Sequence, residues 1–339
     1  IGESTKIMSL FNGEVCIVGA GAAGLTAGYT LKQGGVSNVT ILEASSRLGG
    51  RLKKLADFAS FPIDLGGEWI QETTPSILDD ITGVPGTSDK LTTFLYDTNP
   101  YFEWEVGAFN AYKEEVGDNY RFINYTWFDF FNDYIAPSVV DEILFDMQVV
   151  TIDYSGNDNV AVRIVTKTGD KFDCDRAIVT VPLQILKDGD IEFIPPFSSE
   201  RLAALKASWM APGLKVFLEF SETFYPVNFG FERNNAAYET GEGDHLYFDE
   251  AFMQLDSSSD PDHILGLFAI GVLSEPYLEQ GTEEKLRDYI LAELDMLFDG
   301  RATATFQRLV VQNWTAEPFI RGAYSEYLEE FVLISILSR

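Results

Sequence analysis

The sequence predicts an α/β protein with a central parallel sheet and a smaller β-rich domain. Three observations lead there. An apolar strand, Val15–Val18, runs into Gly19-Ala20-Gly21-Ala22-Ala23-Gly24 and an amphipathic helix ending near Gln33. A second strand closes on an acid, Val39-Thr40-Ile41-Leu42-Glu43, followed by a second glycine pair, Arg47-Leu48-Gly49-Gly50-Arg51. From about residue 185, segments such as Leu214–Phe220 and Asp262–Val272 have the short, apolar and β-branched character of strands.

The first turn carries a G-x-G-x-x-G between strand and helix. Gly19 permits the tight turn, Gly21 lets a pyrophosphate approach the backbone, and Gly24 lets the helix pack close to the strand. Phosphates would then lie at the helix N-terminus, where unpaired N–H groups point. Glu43 follows about twenty residues later, where a carboxylate accepts hydrogen bonds from ribose hydroxyls. The glycine pattern alone arises by chance. Strand, loop, helix, strand and terminal acid in this order constitute a dinucleotide-binding signal.

The second glycine pair selects the dinucleotide. E-x-x-x-R-x-G-G-R from Glu43 to Arg51, followed by Asp64-Leu65-Gly66-Gly67-Glu68-Trp69-Ile70, resembles the flavin-containing amine oxidases, a family of monoamine, polyamine and L-amino-acid oxidases and lysine-specific histone demethylases. The resemblance implies an FAD-binding, Rossmann-like (GR2-type) domain. It implies FAD contacts at Gly19, Gly21, Ala23, Gly24, Glu43, Ala44, Arg47, Gly49, Gly50 and Arg51, and along the flavin ring at Gly66, Gly67, Glu68 and Trp69. Read without it, Gly66-Gly67 is an ordinary turn. Further along, the resemblance places Val149 near the adenine and Pro182, in Val181-Pro182-Leu183, beside the cofactor.

Composition narrows the function classes. With 53 acidic against 24 basic residues among 339, the formal charge is −29, so nucleic acid and anionic membranes are poor partners. Such a field concentrates cationic amines, and it also serves solubility. No apolar run reaches bilayer-crossing length, and Phe331–Leu337 reads as a short apolar tail. No signal-like segment is read at Ile1, and secretion or an organelle lumen stays open, with possible N-glycosylation at Asn38, Asn124 and Asn313 in that case. Two histidines, His245 and His263, are too few for a His-based metal site. Cys16 and Cys174, far apart in sequence and each in an apolar strand, are expected to be separate core residues without a disulfide.

The remaining elements follow in order. Ser76–Ile81 reads as a short helix. Residues 94–127 are rich in aromatics and acids and suit a hairpin or a partner surface, and Trp127–Tyr134 has helical aromatic spacing that stops at Pro137. Gln148–Asp153, Val160–Thr166 and Lys171–Asp173 read as strands separated by Gly-containing turns, and Arg176–Val181 as a buried strand. Helices are expected over Ser199–Ser208 and Thr282–Phe298, with a strand at Thr305–Val311. Asn313–Ser325 then follows the family's W-x-x-x-P-x-x-x-G-x-Y-S pattern. The FAD-binding domain is accordingly expected from 13–72, 141–184 and 301–325, the β-rich substrate-type domain from 185–300, with a shortened insert at 73–140 and a divergent tail at 326–339.

Two residues are candidates for the chemistry. Alternation in Leu214-Lys215-Val216-Phe217-Leu218-Glu219-Phe220 puts Lys215, Phe217 and Glu219 on one face. From pattern alone that is a solvated face with an ordinary lysine. The resemblance instead implies a buried ammonium near the flavin N5 that assists reoxidation by oxygen. Trp314 reads as core from its setting, and by resemblance as an aromatic against the flavin ring.

Two departures from the family pattern leave two functions open. The large helical insert before Gln148 and the G-E-x-T-like FAD segment after Ser325 are not found. The chain is read first as an FAD-dependent amine oxidase, passing hydride from an amine to flavin with oxygen as acceptor. The alternative is a non-catalytic scaffold subunit that meets a protein partner through 94–134 or 326–339.

Overall fold

The computed structural model describes residues 12–71, 74–95, 101–105, 108–112, 119–157, 160–231, 243–254 and 262–327. At its centre Val15–Val18 lies between two parallel neighbours, Val39–Leu42 and Arg176–Val179, with Ile143–Leu144 on the far side of Val39–Leu42. All four residues of Val15–Val18 are buried, as expected for a parallel strand covered on both faces. Alternation divides them. Val15 and Ile17 face the helix Ala22–Gln33 and pack with Leu25 and Tyr29, while Cys16 and Val18 face a second sheet and pack with Val149, Ile152 and Ile164. That second sheet runs in the order 171–174, 162–166, 149–153 and 192–194.

Cys16 and Cys174 are joined as a disulfide, contrary to the sequence expectation. Their sequence separation of 158 is irrelevant in space. Alternation turns Cys16 toward the second sheet, where Cys174 ends its strand with a Cα–Cα separation of 6.0 Å, within disulfide reach.

A seven-stranded sheet forms the other half, ordered 306–313, 213–220, 264–271, 243–249, 228–231, 101–105 and 108–112. The helix Glu283–Leu297, capped by the Thr282 hydroxyl accepting from the Lys285 N–H, lays Leu286, Ile290, Leu291 and Leu294 on Leu214, Val216 and Leu218. The opposite face of the strand Gly213–Phe220 is buried too, with Phe217 packed among Phe58, Phe61, Ile63 and Leu65. The solvated face inferred from alternation therefore does not exist at Lys215 or Phe217. Residues 58–65, which include the short strand Ile63–Asp64, cover it, and nothing in the local pattern announces them.

The sheet draws on segments that the sequence reading had kept apart. Phe306–Asn313 pairs antiparallel with Gly213–Phe220, although 301–325 was assigned to the FAD-binding part. The aromatic and acidic stretch contributes the hairpin Tyr101–Glu105 and Ala108–Tyr112 to the far edge. Asn119–Phe122 joins Ile70–Gln71 and Thr93–Leu95 in a smaller sheet. Tyr324–Tyr327 pairs with Ser208–Ala211, and the rest of the 326–339 tail lies outside the described residues. Among the described residues no helix is long and apolar enough to cross a membrane.

Candidate active site

A cavity of about 660 Å³ runs along the junction of the parallel sheet and the seven-stranded sheet. At one end it is lined by Val18, Gly19, Gly21, Ala23, Glu43 and Ala44, and at the other by Trp69, Leu214, Lys215, Phe268 and Trp314. Between them lie Arg47, Gly49, Gly50, Arg51, Gly66, Gly67, Glu68, Val149 and Pro182. Every predicted site residue except Gly24 lines it.

Gly24 acts from behind the wall. A Cβ there would sit 1.9 Å from the Gly19 carbonyl oxygen, so the helix can approach the turn only with glycine at this position. Gly66 is equally constrained, since a Cβ would fall 1.7 Å from the Arg51 carbonyl oxygen. The two glycine loops thereby come together, Gly21 and Gly49 forming a β-bridge, and the Gly49 N–H donates to the Ala20 carbonyl at 2.8 Å.

Glu43 is buried, and its carboxylate holds the first loop in place. Oε2 accepts from the Ala20 N–H at 2.7 Å, and Oε1 accepts from the Ser45 N–H at 2.8 Å and the Ser45 hydroxyl at 2.7 Å. A carboxylate has about four acceptor positions, so one remains for a hydroxyl donor. The arginines are also used internally. Arg47 donates to the carbonyls of Leu48, Gly50 and Leu52, fixing the second loop, and Arg51 donates to the Ala323 carbonyl at 2.7 Å. Burial lowers the pKa of both guanidinium groups.

At the other end Lys215 is 3% exposed. Its Nζ donates to Glu68 Oε2 at 2.6 Å and to the Asp64 carbonyl at 3.2 Å. Trp314 is both core and cavity wall. Its indole N–H donates to the Leu65 carbonyl at 2.9 Å, which fixes the ring against Gly66.

Sequence reasoning missed Arg121 and Glu250. Arg121 lies under Glu68, its Nη2 2.5 Å from Glu68 Oε1 and also paired with Glu250 Oε2. Burial together with the neighbouring Glu68 charge lifts Asp64 well above the carboxylate range, and burial lifts Glu250 to about 7 against the pull of Arg121. One signal was available: Arg121 is the only Lys or Arg between Lys113 and Arg163, within an acidic, aromatic stretch. Its partners were not readable. Thr180 was also passed over; its hydroxyl donates to the Val18 carbonyl at 2.9 Å beside the first glycine turn.

A sequence profile described as flavin containing amine oxidoreductase matches residues 22–121 and 129–329. The chain belongs to that family. Among its relatives, polyamine oxidase 1 of Zea mays is 20% identical over 93% of this chain and 80% of that protein. Human lysine-specific histone demethylase 2 is 23% identical over 93% of this chain and 47% of that protein. Polyamine oxidase 7 of Oryza sativa subsp. japonica is 32% identical over 101 residues. A solved structure of wild-type putrescine oxidase bound to putrescine superposes with a TM-score of 0.71 at 15% identity, covering 94% of this chain and 88% of that one.

FAD is the cofactor of a flavin amine oxidoreductase, and the residues present fit it. Two facing glycine loops leave backbone, not side chains, at the phosphate end. A carboxylate with a free acceptor position stands at the ribose end, and a cavity continues past Gly66-Gly67 to a buried ammonium and an indole.

Proposed function

We propose that this protein oxidises a small cationic amine using FAD, with oxygen as the electron acceptor. The observation that carries the reading is the continuous cavity joining the double glycine loop to Lys215 and Trp314. The bound flavin would supply the hydride acceptor. The glycine loops would hold its pyrophosphate against backbone N–H groups, and Glu43 would accept a ribose hydroxyl at its remaining acceptor position. Trp314, Trp69 and Phe268 would exclude water and give the amine's alkyl chain an apolar wall. Lys215 would present a positive charge where negative charge develops during reoxidation. The polyamine and putrescine oxidases among the relatives favour an aliphatic di- or polyamine. The charge of −29 favours its capture over that of an anionic substrate.

Purified protein should be yellow, and putrescine, spermidine or spermine should bleach its visible absorption without oxygen and yield hydrogen peroxide with it. In Lys215→Met, reoxidation should slow by roughly 10²-fold while reduction by the amine changes little. A colourless protein that takes up no added FAD would remove the reading. Equal slowing of both half-reactions would remove the role given to Lys215. A second reading, an amine-oxidase-like scaffold, has no observation in its favour among the described residues.

A further inference from the structure

From the cavity wall at Lys215 and Glu68 a group of charges drawn from four segments extends into the interior. Glu68 bridges Lys215 and Arg121, Arg121 pairs with Glu250, and Asp64 stands beside Glu68 with its carbonyl on the Lys215 ammonium. Three carboxyls thus face two cations. All five residues are at least nine-tenths buried, Asp64 being the most exposed at 7%. Asp64 Oδ1 and Glu250 Oε1 have no hydrogen-bond partner and border a second, much smaller cavity of about 10 Å³, closed by Pro62, Phe122, Tyr125 and Gln254. That is the size of about one water molecule.

A buried excess carboxylate is costly unless it is neutralised. Among the described residues no group of acidic, His or Cys side chains has a geometry suited to a metal ion. A proton is the remaining neutraliser. We propose that Asp64, Glu68 and Glu250 form a proton store behind Lys215, with Glu68 the positioning residue that connects it to the lysine. The inference rests on the proposed oxidase reading for its use in turnover, but not for its existence. When Lys215 gives a proton to reduced oxygen in the cavity, one Nζ–H bond breaks; a carboxyl O–H of the store then breaks and its proton, relayed by Glu68, makes a new Nζ–H. These transfers in series carry one net proton from the store to the oxygen, and they move no electrons.

The direction of the pKa shifts at Asp64 and Glu250 agrees with one shared proton at neutral pH. The other titratable groups facing the cluster are Asp249, lifted by burial to about 6, and Tyr125, raised by burial and by its hydrogen bond to Asp133.

Infrared spectra in water and in deuterium oxide test the store directly, with and without FAD. Wild-type protein should show a deuterium-sensitive band of a buried protonated carboxyl that is lost or displaced in Asp64→Asn or Glu250→Gln, both near-isosteric. Absence of such a band, or its persistence unchanged in both variants (which would assign it to Asp249 or to Glu293, another carboxyl raised by burial), overturns the proposal. Rapid-mixing kinetics test Glu68. Glu68→Gln should slow the oxygen half-reaction by roughly 10²-fold and flatten its pH profile, Glu68→Asp should restore part of the rate, and reduction by the amine should slow far less than the oxygen half-reaction. Equal loss in both variants and both half-reactions would make Glu68 merely structural and overturn its role. A protein without flavin or turnover would sink the oxidase reading while leaving the infrared result to decide the store.

Discussion

The two ends of the cavity are built by opposite means. The glycine-loop end is made largely from one continuous stretch, residues 15–51, held by backbone hydrogen bonds, by the side chains of Glu43, Ser45 and Arg47 from that same stretch, and by glycines at positions where a side chain would collide. The lysine end is made of single side chains from distant segments. Asp64 and Glu68 come from one stretch, Arg121 lies more than fifty residues on, Lys215 nearly a hundred beyond that, and Glu250 follows the strand 243–249, separated from that of Lys215 by the strand 264–271. One end is specified by chain geometry, the other by charge balance in a space closed to water. Backbone geometry leaves a signature in sequence because it demands particular residues at fixed spacing. Charge balance leaves almost none.

The sharpest way to break the lysine end is to remove its central cation. Arg121→Met leaves the Glu68 and Glu250 carboxylates buried without their shared partner and should cost about 3–5 kcal/mol. Denaturant unfolding would show it as a lowered midpoint with little change in slope. A change under about 1 kcal/mol would mean that the cluster reprotonates freely and that charge balance is not what organises this end.

The disulfide ties the glycine-loop strand to the second sheet, and opening it separates the effect of a staple from that of the loop. Reduction, or Cys16→Ala with Cys174→Ala, should lower stability by about 2–4 kcal/mol, read as a fall in Tm in the presence of reductant. FAD affinity of the folded protein should change far less, because the cavity wall is formed by Val18 and Gly19 and not by Cys16.

At the glycine-loop end, Glu43→Ala removes three hydrogen bonds at once, and roughly 2 kcal/mol of that should appear as weakened FAD retention. The loop loses its anchor on the Ala20 N–H as well as the acceptor proposed for the ribose. Glu43→Gln separates the two: its carbonyl can keep one acceptor contact, so an affinity intermediate between wild type and Ala is expected by titration of apoprotein with FAD.

How much was legible follows the same division. Gly19, Gly21, Gly24, Glu43, Gly49, Gly50 and Gly66 were found as a spaced series and, Gly24 excepted, all line the cavity. Lys215 was located only through family resemblance, because the alternation of its strand says nothing about Phe58–Leu65 folding over it. The disulfide was misjudged because strand direction, and not separation along the chain, decides which cysteines meet. Glu250 was unmarked, and Arg121 stood out only as a lone cation in an acidic, aromatic stretch, with no periodicity to name its partners.

The smallest expected effect makes the sharpest control, because it sits on the same strand and the same face as Lys215. Four residues along, Glu219 pairs with Arg308, but there the arginine side chain is 54% exposed where that of Lys215 is 4% exposed. Solvent screens this pair, so Glu219→Gln should cost no more than about 0.2–1 kcal/mol, and the cost should shrink further at high salt. FAD content and both half-reactions should stay at wild-type values, since neither Glu219 nor Arg308 reaches the cavity. Disruption of the Lys215–Glu68 pair on the same strand should instead be insensitive to salt, because no counterion reaches it. Similar salt dependence for Glu219→Gln and Glu68→Gln would show that water reaches the lysine end, and the contrast between a solvated and a sealed ion pair on one strand would collapse.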